Sequence, residues 1–213
     1  MNLIPRKKLF ISTKFNIADK NIDVRKELEG SLKRLGTNYV DLYLMHWPHP
    51  KNYIEAWKQM VELYKEGKAK AIGVCNFQIR HLEALQRESD VLPMVNQIEI
   101  HPLNTEKELI NYCKQQDIQL EAYCPLGLMK EQITKNETLI NLTRKYNKSI
   151  PQIILRWDIQ NGIIPLPKST KTSRLKENID IFDFQLEEKE IEEIDLLNQN
   201  YKIYEPEKFC KGY

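Results

Sequence analysis

Short, unbroken apolar runs alternate with longer stretches of helical periodicity along the whole chain, and no other feature of the sequence constrains its fold as much. Residues 9–13 read as a buried strand. Residues 24–35 then place Val24, Leu28, Ser31, Leu32 and Leu35 on one helical stripe, with Gly36 as the C-cap. The pattern repeats as strand 39–45 with helix 53–64 closed by Gly67, strand 71–74 with helix 79–86, and strand 94–100 with helix 105–114. Strand 118–123 precedes two helices, 137–146 and 151–160, the second with Pro151 in its first turn. Strand 163–166, a helix over 173–178 and a long helix over 187–197, opened by the acidic pair Glu187 and Glu188, complete the series. Runs that are apolar throughout, without alternation, are expected of parallel strands covered on both faces.

Regular strand–helix alternation leaves a doubly wound open sheet or a (β/α) barrel. An open sheet built for a dinucleotide carries GxGxxG after its first strand. The seven glycines of this chain form no GxG, and a Walker pattern is absent. The fold class expected is therefore α/β, a (β/α)8 TIM barrel, as one domain over residues 1–213. About six βα units can be found where a full barrel has eight in ~250 residues. Because the carboxyl end closes on a long helix and a polar tail, the deficit of two units is expected at the amino terminus. Met1 to Arg6 read more like an inter-element loop than a natural start.

Composition excludes several classes of function. Charged residues make up 29% of the chain and nearly cancel, leaving a net charge of +2 with no basic block. That balance gives no reason to expect nucleic acid or an anionic membrane as a partner. No apolar run approaches the roughly 20 residues of a membrane helix. Cys75, Cys113, Cys124 and Cys210 lack CxxC or metal-ligand spacing, so no metal is expected. A reduced, cytoplasmic protein follows, monomeric if it folds alone.

In a barrel the carboxyl ends of the strands face the active site. Polar or aromatic residues stand there in Ser12-Thr13-Lys14, Met45-His46-Trp47-Pro48, Val74-Cys75-Asn76-Phe77 and Asn96-Gln97-Ile98-Glu99, and again at Tyr123 before Pro125-Leu126-Gly127. Taken singly, Lys14 is better read as a surface lysine, His46 as a core histidine, and Asn76 and Gln97 as loop ties. Jointly they say more. The sixth strand runs into Lys168-Ser169-Thr170 and a helix start, where barrels commonly bind phosphate. Amides at a helix amino end, with Lys168 and Arg174, offer donors and positive charge to a dianion. The residues alone give a barrel with a phosphate site.

The ordered segments Ser-Thr-Lys, Asp-Leu-Tyr-Leu-Met-His-Trp-Pro, Ile-Gly-Val-Cys-Asn-Phe, Val-Asn-Gln-Ile-Glu-Ile-His-Pro, Tyr-Cys-Pro-Leu-Gly and Pro-Lys-Ser followed by Glu177-Asn178 resemble the aldo-keto reductase family over residues 9–196. That resemblance implies NADPH as cofactor and a small-molecule carbonyl as substrate. It implies that Lys168, Ser169, Thr170 and Arg174 hold the adenosine 2′-phosphate, and that Glu177 and Asn178 meet the adenine. It implies that Tyr123 stacks on the nicotinamide, that Cys75, Asn76 and Gln97 bind its carboxamide, and that Leu126 lies along the pyrophosphate. Cys75 replaces the usual serine, and a thiol is a weaker donor.

Family chemistry is hydride transfer to an aldehyde or ketone carbon, with a tyrosine protonating the oxygen and a lysine, an aspartate and a histidine assisting. Lys14 matches the lysine and His46 the histidine, with Trp47 walling the substrate pocket. The family's tyrosine and aspartate have no match in these residues. Tyr43, three residues before His46 in one strand, has the opposite side-chain parity and cannot replace the acid. Three readings follow: an NADPH-dependent carbonyl reductase, a non-catalytic NADPH-binding remnant, or an unrelated phosphate-binding barrel enzyme. The aromatic residues Tyr201, Tyr204, Phe209 and Tyr213 of the tail are candidates to line a pocket or to pack on the barrel.

Overall fold

The computed structural model describes residues 4–16 and 22–210. Met1, Asn2, Leu3 and Tyr213, for which the sequence raised expectations, lie outside them. The chain divides into two compact units: Met1–Asn96 with Gln115–Ile118 and Glu205–Tyr213, and Gln97–Lys114 with Gln119–Tyr204.

The first unit contains β1 (Ser12–Phe15), α1 (Val24–Leu35), β2 (Leu42–Met45), α2 (Tyr53–Lys65), β3 (Ile72–Cys75) and α3 (Ile79–Glu88). The three strands pair in parallel and in sequence order, with Lys14 opposite Leu44 and Leu44 opposite Gly73. Every residue of β2 and β3 is buried, as unbroken apolar runs predict. Their face that carries Leu42, Leu44 and Cys75 packs with Ala71 and Val95. Gly73 is required there, because a Cβ would stand 2.5 Å from the Val95 carbonyl oxygen. The opposite face meets the helices: Tyr43 is fully buried and its hydroxyl lies 3.4 Å from the Val24 carbonyl oxygen.

Helix α1 starts where Asp23 accepts a hydrogen bond from the Lys26 amide, and ends at Gly36 in the left-handed conformation with φ 65°. Val24, Leu28, Ser31 and Leu32 are buried as expected, whereas Leu35 is 45% exposed. It is the last helical residue before Gly36 reverses the chain, so no further turn covers it. The first strand is also displaced from its expected place. Residues 9–13 are not a buried strand: Leu9 and Phe10 are exposed, and pairing begins at Ser12. Pro5 opens a short 3-10 turn, Arg6–Lys8. Asp41 then accepts a hydrogen bond from the Ile11 amide at 3.0 Å and ion-pairs with Arg6 and Lys70. Burial raises its pKa, but these donors outweigh that and bring it down to about 2.

The strand β4 (Val95–Glu99) begins in the first unit and ends in the second. The second unit continues with α4 (Lys107–Gln115, to Lys114), β5 (Gln119–Tyr123), α5 (Glu131–Thr134), α6 (Glu137–Tyr146), α7 (Ile150–Gln160), β6 (Ile163–Leu166), α8 (Thr172–Ile179) and α9 (Glu188–Asp195). β5 and β6 are parallel, with Tyr123 opposite Leu166. β6 is covered on one side only, since Ile164 and Leu166 are exposed, contrary to the expectation for an unbroken apolar run. Pro165 gives it apolar character without demanding burial.

Capping boxes set the starts of α7 and α9. Ser149 and Gln152 exchange hydrogen bonds at the first, and Glu187 and Glu190 at the second. Trp157 of α7 is fully buried and donates its indole N–H to Asp195 of α9 at 2.9 Å. The short α5 and the last helix, α10 (Pro206–Phe209), were not foreseen from periodicity, being only one turn long. No described helix is long and apolar enough to cross a membrane, and no described group of three or more His, Cys, Asp or Glu suits a metal ion.

Candidate active site

In the first unit the face that carries Leu44 also carries Lys14, its register partner, and by strand parity His46 and Cys75. The backbone around His46 is pinned from two sides. Its amide donates to the Phe15 carbonyl at 2.9 Å, and its carbonyl accepts from the Asn76 side-chain amide at 3.0 Å. Asn76 reaches that carbonyl from the left-handed region, φ 63°, which asparagine tolerates better than most residues. Burial, and then the positive charge of Lys14, lower the His46 pKa to about 4. The ring is therefore neutral at pH 7 and can donate one N–H while its other nitrogen accepts. Lys14 itself is exposed.

Trp47 is nearly buried and stacks on Phe209 of α10, with centroids 5.6 Å apart and planes 6° from parallel. Cys210 places its Sγ 3.7 Å from the Pro48 carbonyl. A tail aromatic thus packs flat against the expected wall of the substrate pocket. In the sequence Asn96 stands out only as part of a polar strand end. It is fully buried and brackets the backbone of Phe77, donating to its carbonyl at 2.8 Å and accepting from its amide at 3.4 Å.

In the second unit Gln97 donates to Glu121 at 2.7 Å, both side chains buried. Tyr123, half-buried at the carboxyl end of β5, meets the ring of Tyr204 edge-on at 5.9 Å. Leu126 follows in a loop where Cys124, Gly127, Leu128 and Met129 all have positive φ. Such backbone costs about 1–3 kcal/mol per non-glycine residue and clusters at functional sites. At Gly127 a Cβ would stand 2.4 Å from Ile133 Cδ1, so the loop keeps bare backbone there.

Lys168, Ser169 and Thr170 lead into α8, whose first turn contains no acidic residue. Lys168 and Arg174 are exposed and make no ion pair among the described residues. Ser169 Oγ accepts from the Lys171 amide at 3.1 Å, which shapes the turn. Two uncommitted cations beside open helix-start amides, with no competing carboxylate in that turn, fit a phosphate dianion. Glu177 accepts a hydrogen bond from Ser149 at 2.5 Å, and Asn178 follows it, half-buried.

The residues that sequence reasoning passed over are carboxylates: Glu99, Glu121 and Asp41, each buried. Their signal was available, since a charged residue inside or beside an apolar strand must find partners if the strand is buried.

Comparison with known proteins places these residues in a family. The model of the aldo/keto reductase family matches residues 4–199, spanning nearly all of both units. An uncharacterized oxidoreductase of Bacillus subtilis is 50% identical over 201 residues, 94% of this chain and 71% of that protein. A glyoxal reductase of the same bacterium is 47% identical, covering 94% of this chain and 72% of that protein. Among solved structures, an aldo-keto reductase of Bombyx mori in complex with NADP superposes with a TM-score of 0.91 at 37% identity. It covers 99% of this chain and 74% of that one.

Proposed function

The chain belongs to the aldo/keto reductase family, and on that premise we propose that it binds NADPH and reduces small aldehydes or ketones to alcohols. The observation that carries the reading is the face of the β1–β2 pair shared by Lys14 and the neutral His46. The relative named glyoxal reductase directs the substrate class toward small, reactive carbonyls.

Bound NADPH supplies a hydride to the carbonyl carbon. Lys168, Ser169, Thr170 and Arg174 would hold its 2′-phosphate, and Glu177 and Asn178 would meet its adenine. By the family resemblance, Leu126 would lie along the pyrophosphate, Tyr123 would stack on the nicotinamide, and Cys75, Asn76 and Gln97 would take its carboxamide. His46 donates its N–H to the carbonyl oxygen and orients it, Lys14 adds positive charge on the same face, and Trp47 excludes water. The alkoxide oxygen still needs a proton. Tyr43 is the one tyrosine in β1, β2 and β3, and its hydroxyl faces α1. Without a positioned acid this step would run about 10²–10⁴-fold slower.

That same orientation of Tyr43 favours a second reading, a protein that binds NADPH and reduces nothing. A titration of the purified chain with NADPH, read by energy transfer from tryptophan, separates the two when followed by glyoxal-dependent NADPH oxidation. Saturable binding with slow turnover supports the reductase, and binding without turnover supports the second reading. Absence of binding overturns both.

A further inference from the structure

We propose that Glu99 is a positioning residue that holds the ring of Tyr204 against Tyr123, and so fixes the surface on which the nicotinamide stacks. The inference rests on the role given above to Tyr123. Glu99 ends β4 and is 4% exposed, yet both of its carboxylate oxygens are engaged. Oε1 accepts from the Ile203 amide at 2.6 Å, and Oε2 from the Tyr204 amide at 3.0 Å. His101 Nε2 lies 3.1 Å from Oε1, while His101 Nδ1 accepts from the Leu103 amide at 3.2 Å. Because Nδ1 is an acceptor, the ring proton sits on Nε2 and is donated to Glu99.

Three donors on one buried carboxylate make a strong anchor, since hydrogen bonds to a charged group are stronger than those between neutral groups. Its backbone is anchored as well, for the Glu99 carbonyl accepts from the Asn104 side-chain amide at 2.8 Å. The anchored segment contains no helix or strand, Tyr204 is exposed, and Lys202 adds an ion pair to Glu106 at 2.7 Å. Two further bonds, from the Gln199 and Tyr201 amides to the Leu103 carbonyl, tie the same stretch to the turn after β4. What the anchor presents is the Tyr204 ring, inclined 67° to that of Tyr123. An edge-to-face pair restricts the plane of the ring it meets. A stacking tyrosine held in plane by a neighbour loses less freedom when a flat ligand arrives, and preorganisation of this kind favours binding.

The test compares Glu99→Gln and Tyr204→Leu with the unaltered chain, using two probes: NADPH, and 2′,5′-ADP, which has the adenine and 2′-phosphate but no nicotinamide. Both variants are expected to weaken NADPH about tenfold while leaving 2′,5′-ADP within about twofold. Combined, they are expected to lose little more than either alone, because they act through one contact. Equal losses for both probes, or no loss for either, would overturn the inference.

Hydrogen exchange makes the outcome independent of the cofactor. The Ile203 and Tyr204 amides are expected to exchange roughly tenfold faster in Glu99→Gln. Unchanged exchange overturns the anchor whatever NADPH does. If exchange quickens but the unaltered chain binds 2′,5′-ADP and not NADPH, the role of Tyr123 fails and the positioning claim with it. If it binds neither probe, the proposed function fails first.

Discussion

The Tyr43 hydroxyl lies 3.4 Å from the carbonyl oxygen of Val24, on the face of β2 opposite the one that carries His46. Burial raises its pKa well above the usual phenol range. Tyr43→Phe is therefore expected to leave carbonyl-dependent NADPH oxidation unchanged within about twofold, and to cost about 0.5–1.5 kcal/mol of stability. Steady-state rates and a urea unfolding curve check both statements. A loss of rate of tenfold or more would show that this tyrosine reaches the substrate after all.

The cations at the start of α8 are expected to discriminate between cofactors. Lys168→Ala and Arg174→Ala should each weaken NADPH by about tenfold or more and NADH little, as each removes a charge-assisted contact to the 2′-phosphate. Titration of each variant with the two cofactors is the measurement. Equal losses for both would remove the phosphate from this end of α8.

His46 sets an expectation for pH. With its pKa lowered to about 4, against an ordinary value near 6.5, it stays neutral through the range where enzymes of this kind are assayed. Turnover should show no inflection near pH 6.5 that disappears in His46→Asn. Stability should respond instead. Between about pH 6.5 and 4 the unfolded chain binds the proton that the folded one refuses, so stability is present above that window and falls as pH drops through it. His46→Asn should flatten that part of the curve.

Asp158 has the opposite sign. It is fully buried in α7, and neither of its side-chain oxygens finds a hydrogen-bond donor among the described residues. Burial raises its pKa well above the ordinary carboxyl range. Above about pH 4 the unfolded chain releases a proton that the folded one retains, so stability falls by about 1.4 kcal/mol per pH unit until the folded pKa is reached. Urea midpoints at pH 5 and pH 8 should therefore differ less in Asp158→Asn than in the unaltered chain. An unchanged difference would mean that Asp158 ionises freely.

Legibility from sequence followed burial. β2 and β3 are wholly buried, and the sequence shows them as unbroken apolar runs. Residues 9–11 carry the same signal, yet strand pairing starts at Ser12, because register with Leu42 decides where pairing begins and hydrophobicity does not. The direction of Tyr43 follows from the period of a strand alone, and the geometry of Tyr43 and Lys14 agrees with it. That Glu99 and Asp41 need partners was legible, but which partners they find was not. Their partners lie far away in sequence or on backbone amides, which no local pattern announces. The aligned stack of Trp47 on Phe209 joins residues on either side of the second unit in sequence, so aromatic content in the tail suggested a role but no partner.

The Glu99 carboxylate also bears on the order in which the chain folds. Strand neighbours pair after intervals of about 30 residues in the first unit, as for Ser12 with Leu42, and 43 in the second, Leu120 with Ile163. Glu99 meets Ile203 across 104 residues. Closing that longer loop costs about 1 kcal/mol more in chain entropy than closing one of 30. During synthesis, moreover, the donor amides emerge only after β5 and β6 have been made. The strands can therefore pair while the carboxylate still waits, solvated, for its backbone donors. Capture of residues 203 and 204 is then a late step, one that begins after the sheet of the second unit exists and ends with the tail in place.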